Sequence, residues 1–187
     1  MAAIHSNPLV PKSPMPGFFL PDVVEERTVA STSLVGASGT LVVFLCRHCP
    51  YVVRIRGELA AIAREYTGRG IRIVAISSND SVAYPEDSSE KLREMAEELQ
   101  WDFPLLFDES QEVARAFGAV CTPDIFLFDA DLLLHYHGRL DDSTPGNGQP
   151  VTGRDLRSAL EAMLAGLPPS GDCLPSIGCS IKWRRRD

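Results

Sequence analysis

The feature that most constrains the fold is a pair of cysteines between an apolar run and a helix-forming segment. Residues 40–45, TLVVFL, are aliphatic, β-branched and aromatic, which is typical of a buried strand. They lead directly into the tetrapeptide CRHC (residues 46–49), and Pro50 then begins a helical stretch that reaches about Tyr66. Thiolates at a helix N-terminus are stabilised by unpaired N–H groups and by the helix dipole. A C-x-x-C motif in this position therefore indicates reactive cysteines.

The order of the predicted elements is that of a thioredoxin fold. After the first strand and helix we expect a strand at 71–77, a helix from Ser88 or Ser89 to about Gln100, a strand at 103–107, a short helix capped by Ser110, a hairpin of strands 125–128 and 132–136, and a helix capped by Thr152. An early βαβ half followed by an antiparallel ββα half predicts an α/β protein with a central mixed sheet flanked by helices. A Rossmann nucleotide-binding unit is excluded because CRHCP stands where Gly-x-Gly-x-x-Gly would be required.

The 187 residues fit one compact domain with two extensions. Residues 1–15 contain three prolines and no periodic pattern, so we expect a flexible N-terminal arm. The main domain, with the thioredoxin-like order of elements, is expected over 16–166. Residues 167–187 are rich in proline and glycine and contain two cysteines, which predicts an irregular C-terminal tail.

Composition narrows the classes of partner. The formal net charge is -7, so the average field repels a polyanion and we expect no nucleic-acid partner. No apolar run approaches the roughly 20 residues that span a bilayer, so we expect no membrane partner. The first residues lack a basic segment followed by an apolar one, and we therefore predict a cytoplasmic location. In a reducing cytosol, closely spaced cysteines indicate catalysis or metal binding.

Two registers of the C-x-x-C motif predict different nucleophiles. Pro50 fits the first helical position, which makes Cys49 the N-cap and the thiol that gains most from the helix terminus. Cys46 then lies on the preceding loop as the resolving thiol. The more usual assumption places the attacking thiol at Cys46, and a protonated His48 favours either sulfur. Both cysteines are therefore kept as catalytic candidates, with His48 and Pro50 in support.

Further candidates lie nearer the C-terminus. Cys121, Thr122 and Pro123 precede the hairpin, and in thioredoxin-like folds a proline at this point is usually cis and packs beside the reactive cysteines. Cys121 is then either a third thiol near the pair or a small buried residue. The tail residues Cys173 and Cys179 are a candidate second redox pair or carry no function.

Two histidines share one face of the last predicted strand of the hairpin, because alternate residues of a strand point the same way. His135 and His137 offer metal ligands, but a solvent-facing pair on an outer strand is the preferred interpretation.

At this point the sequence resembles a known family. The segments VVFLCRHCPYV, SSNDSVAYPED, FPLLFDESQEVARAFGAVCTPDIFLFD, YHGRLDD and PSIGCSIKW resemble the thioredoxin-like redoxins of the alkyl-hydroperoxide-reductase and thiol-specific-antioxidant group, in a subgroup that carries C-x-H-C-P-Y-V. The likeness runs from about Pro16 to Trp183. It implies a thioredoxin fold and redox chemistry, and it defines the fold better than the substrate.

Comparison with related motifs bears on the nucleophile. HCPYV is similar to the glutaredoxin motif C-P-Y-C, with Cys49 at the first cysteine and Val52 at the second. True peroxiredoxins carry P-x-x-x-T-x-x-C, whereas Val42 and Cys46 occupy the proline and threonine positions here, which argues against efficient peroxide reduction. By contrast, His48 before the second cysteine resembles the C-P-H-C and C-G-H-C motifs of strong disulfide oxidants, in which Cys46 would attack.

The leading functional hypothesis is a thiol–disulfide oxidoreductase without a cofactor. Its substrate would be a disulfide-bearing or thiol protein or small molecule, with an unidentified electron donor. Thiol peroxidase activity through a sulfenic acid is a variant of this chemistry. The second class is a copper- or zinc-binding module with soft ligands from Cys46, Cys49, His48 and Cys121.

Overall fold

The computed structural model describes residues 3–169 and 173–185. The strands are β1 (Ala3–His5), β2 (Phe19–Pro21), β3 (Thr28–Ala30), β4 (Gly39–Phe44), β5 (Ile71–Ser77), β6 (Leu105–Phe107), β7 (Cys121–Thr122), β8 (Asp124–Phe128), β9 (Leu134–Gly138) and β10 (Ile177–Ser180). The α-helices are α1 (Pro50–Thr67), α2 (Ser89–Glu98), α3 (Glu112–Phe117) and α4 (Arg154–Leu164). None of the helices in these residues is both long enough and apolar enough to cross a membrane.

The central sheet has the strand order β6-β5-β4-β8-β9. Strands β4, β5 and β6 are parallel, and β4, β8 and β9 are antiparallel, so the sheet is mixed. The predicted thioredoxin fold of α/β class is therefore confirmed. The Thr122-Pro123 peptide bond is cis, also as predicted.

Every residue of β4 is buried because hydrophobic clusters cover both faces of the sheet. Leu41 and Val43 point into the cluster that includes α1, α2 and α4, and Val42 and Phe44 point into the cluster that includes α3. This alternation follows from the two-residue period of a strand. A continuous apolar run such as TLVVFL is typical of a strand buried on both faces. The C-x-x-C motif directly follows this buried strand.

The two chain ends differ from the sequence expectation. Residues 1–15 are not a loose arm throughout, because β1 pairs antiparallel with β10. The tail is not wholly irregular either, because β10 also pairs antiparallel with β7. Pairing satisfies the backbone N–H and C=O groups of short strands whose side chains show no strong pattern, so composition alone does not reveal these strands. The first and last strands of the described residues therefore pair with each other, and β10 joins them to β7.

Three smaller expectations also change. His135 and His137 are buried rather than solvent-facing, and His137 Nε2 lies 2.8 Å from the buried Asp124 Oδ1. The predicted caps lie one residue from the true ones: Gln111 and Gly153 are the N-caps of α3 and α4, both with left-handed backbone. The hydroxyls of Ser110 and Thr152 still accept hydrogen bonds, from the N–H groups of Glu112 and Arg154.

Candidate active site

Cys49 is the N-cap of α1. Its backbone is extended (φ -68°, ψ 121°), Pro50 is the first helical residue, and Val53 N donates to Cys49 O at 2.9 Å. The prediction made from Pro50 is confirmed for this geometry. The N-cap side chain lies against N–H groups that have no partner within the helix, so a negative charge on its sulfur is stabilised.

Several groups surround the Cys49 sulfur. In the thiol form it donates to the carbonyl oxygen of Thr122 at 3.1 Å, and this contact favours protonation. Ionisation is favoured by hydrogen bonds from the Cys46 thiol, from the side chain and backbone N–H of Cys179, and from the N–H of Val52. The Cys46 hydrogen bond is the largest cause, and together these donors outweigh burial. They hold the pKa of Cys49 well below that of a free thiol.

Cys46 has the opposite electrostatic environment. Its pKa is raised far above its usual value, first because it donates to Cys49, then because it is buried, and then because the charge of Asp87 is near. Its sulfur also lies 3.3 Å from the Thr122 hydroxyl. The environments of the two thiols thus drive their pKa values apart, with the anion on Cys49 and the proton on Cys46.

A buried carboxylate stands behind the motif. Asp87 has no exposed surface, and its Oδ1 accepts from Arg47 N at 2.8 Å while its Oδ2 accepts from the Asn79 amide at 2.7 Å. His48 Nδ1 lies 2.7 Å from Asp87 Oδ2, and the imidazole stacks on Tyr84. Asp87 therefore holds the backbone of the motif and faces the histidine between the two cysteines.

The guanidinium of Arg47 is paired with carboxylates. Its guanidinium forms an ion pair with Glu86 at 2.7 Å, and a second carboxylate, that of Glu94, lies 3.8 Å away. These contacts arise because the loop that carries Glu86 packs against the motif, although the two segments are far apart in the sequence.

The remaining cysteines differ in their distance from the site. Cys121 is buried, its thiol donates to the Pro123 carbonyl at 3.6 Å, and burial raises its pKa. Cys179 lies on β10 opposite Thr122, whose carbonyl accepts from the Cys49 thiol, and it is among the groups that lower the pKa of Cys49. Cys173 lines cavities that also include His135 and Tyr136, and the pairing of Cys173 with Cys179 stays a prediction.

Among the described residues, one group of side chains has the spacing of a metal site. Cys46, His48 and Asp87 each offer one ligand atom, and these atoms lie within 4.8 Å of one another. The metal ligands expected from the sequence were Cys46, Cys49, His48 and Cys121. Cys49 and Cys121 are not in this cluster, and their thiols donate to the Thr122 and Pro123 carbonyls; Asp87 is the ligand that the sequence did not indicate.

Sequence reasoning missed Asp87, Asn79 and the position of Cys179. Asn79 joins Asp87 to the C-terminal tail, since its Oδ1 accepts from Lys182 N at 2.9 Å. The only signal for these residues was that they lie in SSNDSVAYPED and PSIGCSIKW, two of the segments that carry the family resemblance. Periodicity and spacing could not reveal them because their partners are distant in the chain.

Comparison with known proteins gives one family match. Residues 11–137 match the AhpC/TSA family. A search of curated protein sequences found no match.

Solved structures give closer likenesses. An uncharacterized conserved protein from Geobacillus kaustophilus is 45% identical, with a TM-score of 0.97, over 100% of this chain and 99% of that one. A hypothetical protein from Sinorhizobium meliloti 1021 is 42% identical, with a TM-score of 0.94, over 97% of this chain and 99% of that one. A putative thiol:disulfide interchange protein DsbE from Chlorobium tepidum is 18% identical, with a TM-score of 0.66 and coverage of 84% and 99%, a likeness that concerns the fold alone.

Proposed function

This chain belongs to the AhpC/TSA family of thioredoxin-like redoxins, and from that premise we propose that it is a thiol–disulfide oxidoreductase in which Cys49 attacks and Cys46 resolves. The observation that carries the proposal is the opposite shift of the two thiols. Cys49 is an N-cap, and several hydrogen-bond donors lie around its sulfur. Cys46 is the donor that lowers the pKa of Cys49 the most. A dithiol with one ionised and one protonated member is the reduced state that such an enzyme needs.

The first step is attack by the Cys49 thiolate on a substrate disulfide. One sulfur of the substrate becomes bonded to Cys49 in a mixed disulfide, and the other leaves as a thiolate that takes a proton from solvent. Bonding at Cys49 removes the negative charge beside Cys46. The hydrogen bond that Cys46 donated, which is the main cause of its raised pKa, is lost at the same moment. The resolving thiol thus becomes easier to ionise once the mixed disulfide has formed.

The second step is attack by Cys46 on the Cys49 sulfur. The Cys46 proton must leave, and we assign His48, which lies beside Asp87, as the group that accepts it, because one ring nitrogen of His48 and one oxygen of Asp87 lie within 4.8 Å of the Cys46 sulfur. The second substrate sulfur departs as a thiol, and the Cys46–Cys49 disulfide remains. An external dithiol reductant would return the pair to the reduced form.

Access to the nucleophile requires local opening. Cys49 has no exposed surface and Cys46 has almost none, whereas the His48 side chain is 20% exposed. The groups around Cys49 include Cys179 on β10, the middle strand of the small sheet β1-β10-β7, which lies near the end of the chain. Local opening of such terminal segments costs less free energy than global unfolding. We expect substrate disulfides to react through this opened state.

The decisive experiment treats the reduced protein with oxidised glutathione and, separately, with hydrogen peroxide. Trypsin cleaves after Arg47, so Cys46 and Cys49 fall in different peptides. Mass spectrometry should find those peptides linked after exposure to the disulfide. The proposal is wrong if oxidised glutathione leaves both thiols unchanged while peroxide oxidises Cys49. That outcome would favour the peroxidase variant.

A second candidate function, metal binding, is favoured by the cluster of Cys46, His48 and Asp87. Thiolate, imidazole and carboxylate are all ligands of Zn²⁺. Calorimetric titration of the reduced protein with ZnCl₂, repeated on Asp87→Ala, tests it. Binding that is tight in the wild type and lost in the variant would support a metal module. Absence of binding in both leaves the redox proposal as the single candidate.

A further inference from the structure

We propose that Cys179 is a third redox-active thiol of this site, which forms a disulfide with Cys49 in exchange with Cys46. The inference rests on the proposed function, because it needs Cys49 to be the sulfur that becomes oxidised. It assigns a role to the C-terminal strand, which the two-cysteine mechanism does not use.

The first argument is the register of the strands. In the pairing of β10 with β7, Cys179 lies opposite Thr122, and the Thr122 carbonyl is the group that accepts from the Cys49 thiol. Cys179 is almost completely buried. The side chain and the backbone N–H of Cys179 are also among the groups that lower the pKa of Cys49. Cys49 is therefore near a second thiol on β10 as well as near Cys46 on the motif.

The second argument is that the position of Cys179 is held tightly. Gly178 packs against the Thr122 carbonyl so closely that a Cβ at this position would overlap the oxygen. On its other edge β10 pairs with β1, with Cys179 opposite Ala3. Past the strand, Lys182 N is bonded to Asn79 Oδ1, and the Asn79 amide is bonded to Asp87. The tail is thus built into the same network as the motif.

The third argument is chemical. While Cys49 is an anion, burial and then the hydrogen bond to Cys49 and its charge raise the pKa of Cys179 to about 11, so Cys179 stays protonated. When Cys49 is bonded to another sulfur, its charge is gone and both effects disappear. Lys182, which opposes the shift, remains. Burial still raises the pKa of Cys179, but Cys179 is easier to ionise, and so a better nucleophile, once Cys49 has been oxidised.

The exchange is balanced without another reactant. The Cys179 thiolate attacks the Cys49 sulfur of the Cys46–Cys49 disulfide, the Cys46–Cys49 bond breaks, and Cys46 leaves as a thiolate that takes up the proton released by Cys179. When Cys49 instead carries a substrate in a mixed disulfide, the same attack releases the substrate thiol and leaves Cys49–Cys179. The second route resolves mixed disulfides that Cys46 fails to resolve.

The test uses a chain in which Cys49 and Cys179 are the only thiols: Cys46→Ser, Cys121→Ser and Cys173→Ser combined. One equivalent of dithiobis(nitrobenzoate) per reduced protein should release about two coloured thiolates. The protein should then carry no adduct, and its mass should be lower than that of the reduced protein by two hydrogens. In the matched control, which also carries Cys179→Ser, one thiolate should be released and Cys49 should retain the adduct. A trapped adduct on Cys49 in the first protein overturns the proposal.

Two further arms separate the inference from the proposed function. A chain that keeps only Cys46 and Cys49 should also release about two thiolates. If it does and the Cys49/Cys179 chain does not, the inference alone fails. If Cys49 stays unmodified in both, the proposed function fails and the inference with it. If the triple serine variant does not fold, tryptic mapping of the oxidised Cys173→Ser protein is used in its place. Peptides that join Cys49 to Cys179 are expected there, and their absence refutes the inference.

Discussion

The acidity of Cys49 should depend on the hydrogen bond that Cys46 donates. Replacement of Cys46 by alanine removes the donor, whereas replacement by serine keeps an O–H group at the same position. A hydrogen bond to a charged group contributes about 1.5–3 kcal/mol, and one pKa unit corresponds to 1.36 kcal/mol. The pKa of Cys49 should therefore be about 1–2 units higher in Cys46→Ala than in Cys46→Ser. It should remain below that of a free thiol, because the Val52 N–H and Cys179 donors persist.

Thiolate absorbance near 240 nm, followed against pH, measures this difference. The titrations are best made in a Cys173→Ser background, since burial raises the pKa values of the other two thiols, Cys121 and Cys179. The rate of alkylation by iodoacetamide should rise with pH through the Cys49 pKa and then level off. Tryptic mapping identifies which thiol has reacted.

Two results would refute the reasoning. Equal Cys49 pKa values in the alanine and serine variants would mean that Cys46 is not a donor to the thiolate. A pKa of Cys46 in Cys49→Ser that is lower than the pKa of Cys49 in Cys46→Ser would reverse the assignment. The usual C-x-x-C register, with Cys46 as the attacking thiol, would then apply.

Three other substitutions test neighbouring parts of the structure. Asp87→Asn should slow release of glutathione from the mixed disulfide several-fold in stopped-flow assays, because the proton acceptor for the resolving thiol is weakened; faster release would mean that the carboxylate acts only through its charge. Gly178→Ala should lower the free energy of unfolding by about 1–3 kcal/mol through overpacking, and it should speed alkylation of Cys49. Gly57→Ala is the matched control and should do neither, because the space around Gly57 is open. His137→Phe leaves the buried Asp124 without its partner and should lower the free energy of unfolding in urea by about 3–5 kcal/mol. A second change in the same chain, Asp124→Asn, should restore part of that stability. A loss below about 1 kcal/mol in the single variant would mean that the pair is not strong.

The central part of the fold was predictable from local sequence. Pro50, the apolar run before it and the helical spacing after it determine a buried strand, an N-cap at Cys49 and a helix, because each depends on residues within one or two turns. The strand at 71–77 and the hairpin that follows Pro123 were predictable for the same reason. Cys49 as the cysteine at the helix terminus follows from these local rules, and the structure agrees.

Tertiary structure alone decided which distant groups meet Cys49 and Cys46. Asp87 is one of several acidic residues in a polar loop, and nothing in its neighbours distinguishes it from Glu86, yet one is buried beside His48 and the other binds Arg47 at the surface. Cys179 reaches Cys49 only because β10 pairs with β7, which lies more than fifty residues earlier in the chain. Pairing between short strands depends on backbone hydrogen bonds that every residue can make, so the side chains leave no local trace of it. The C-x-x-C pair was therefore readable from its own neighbourhood, whereas the carboxylate and the third thiol around it depend on how the chain closes.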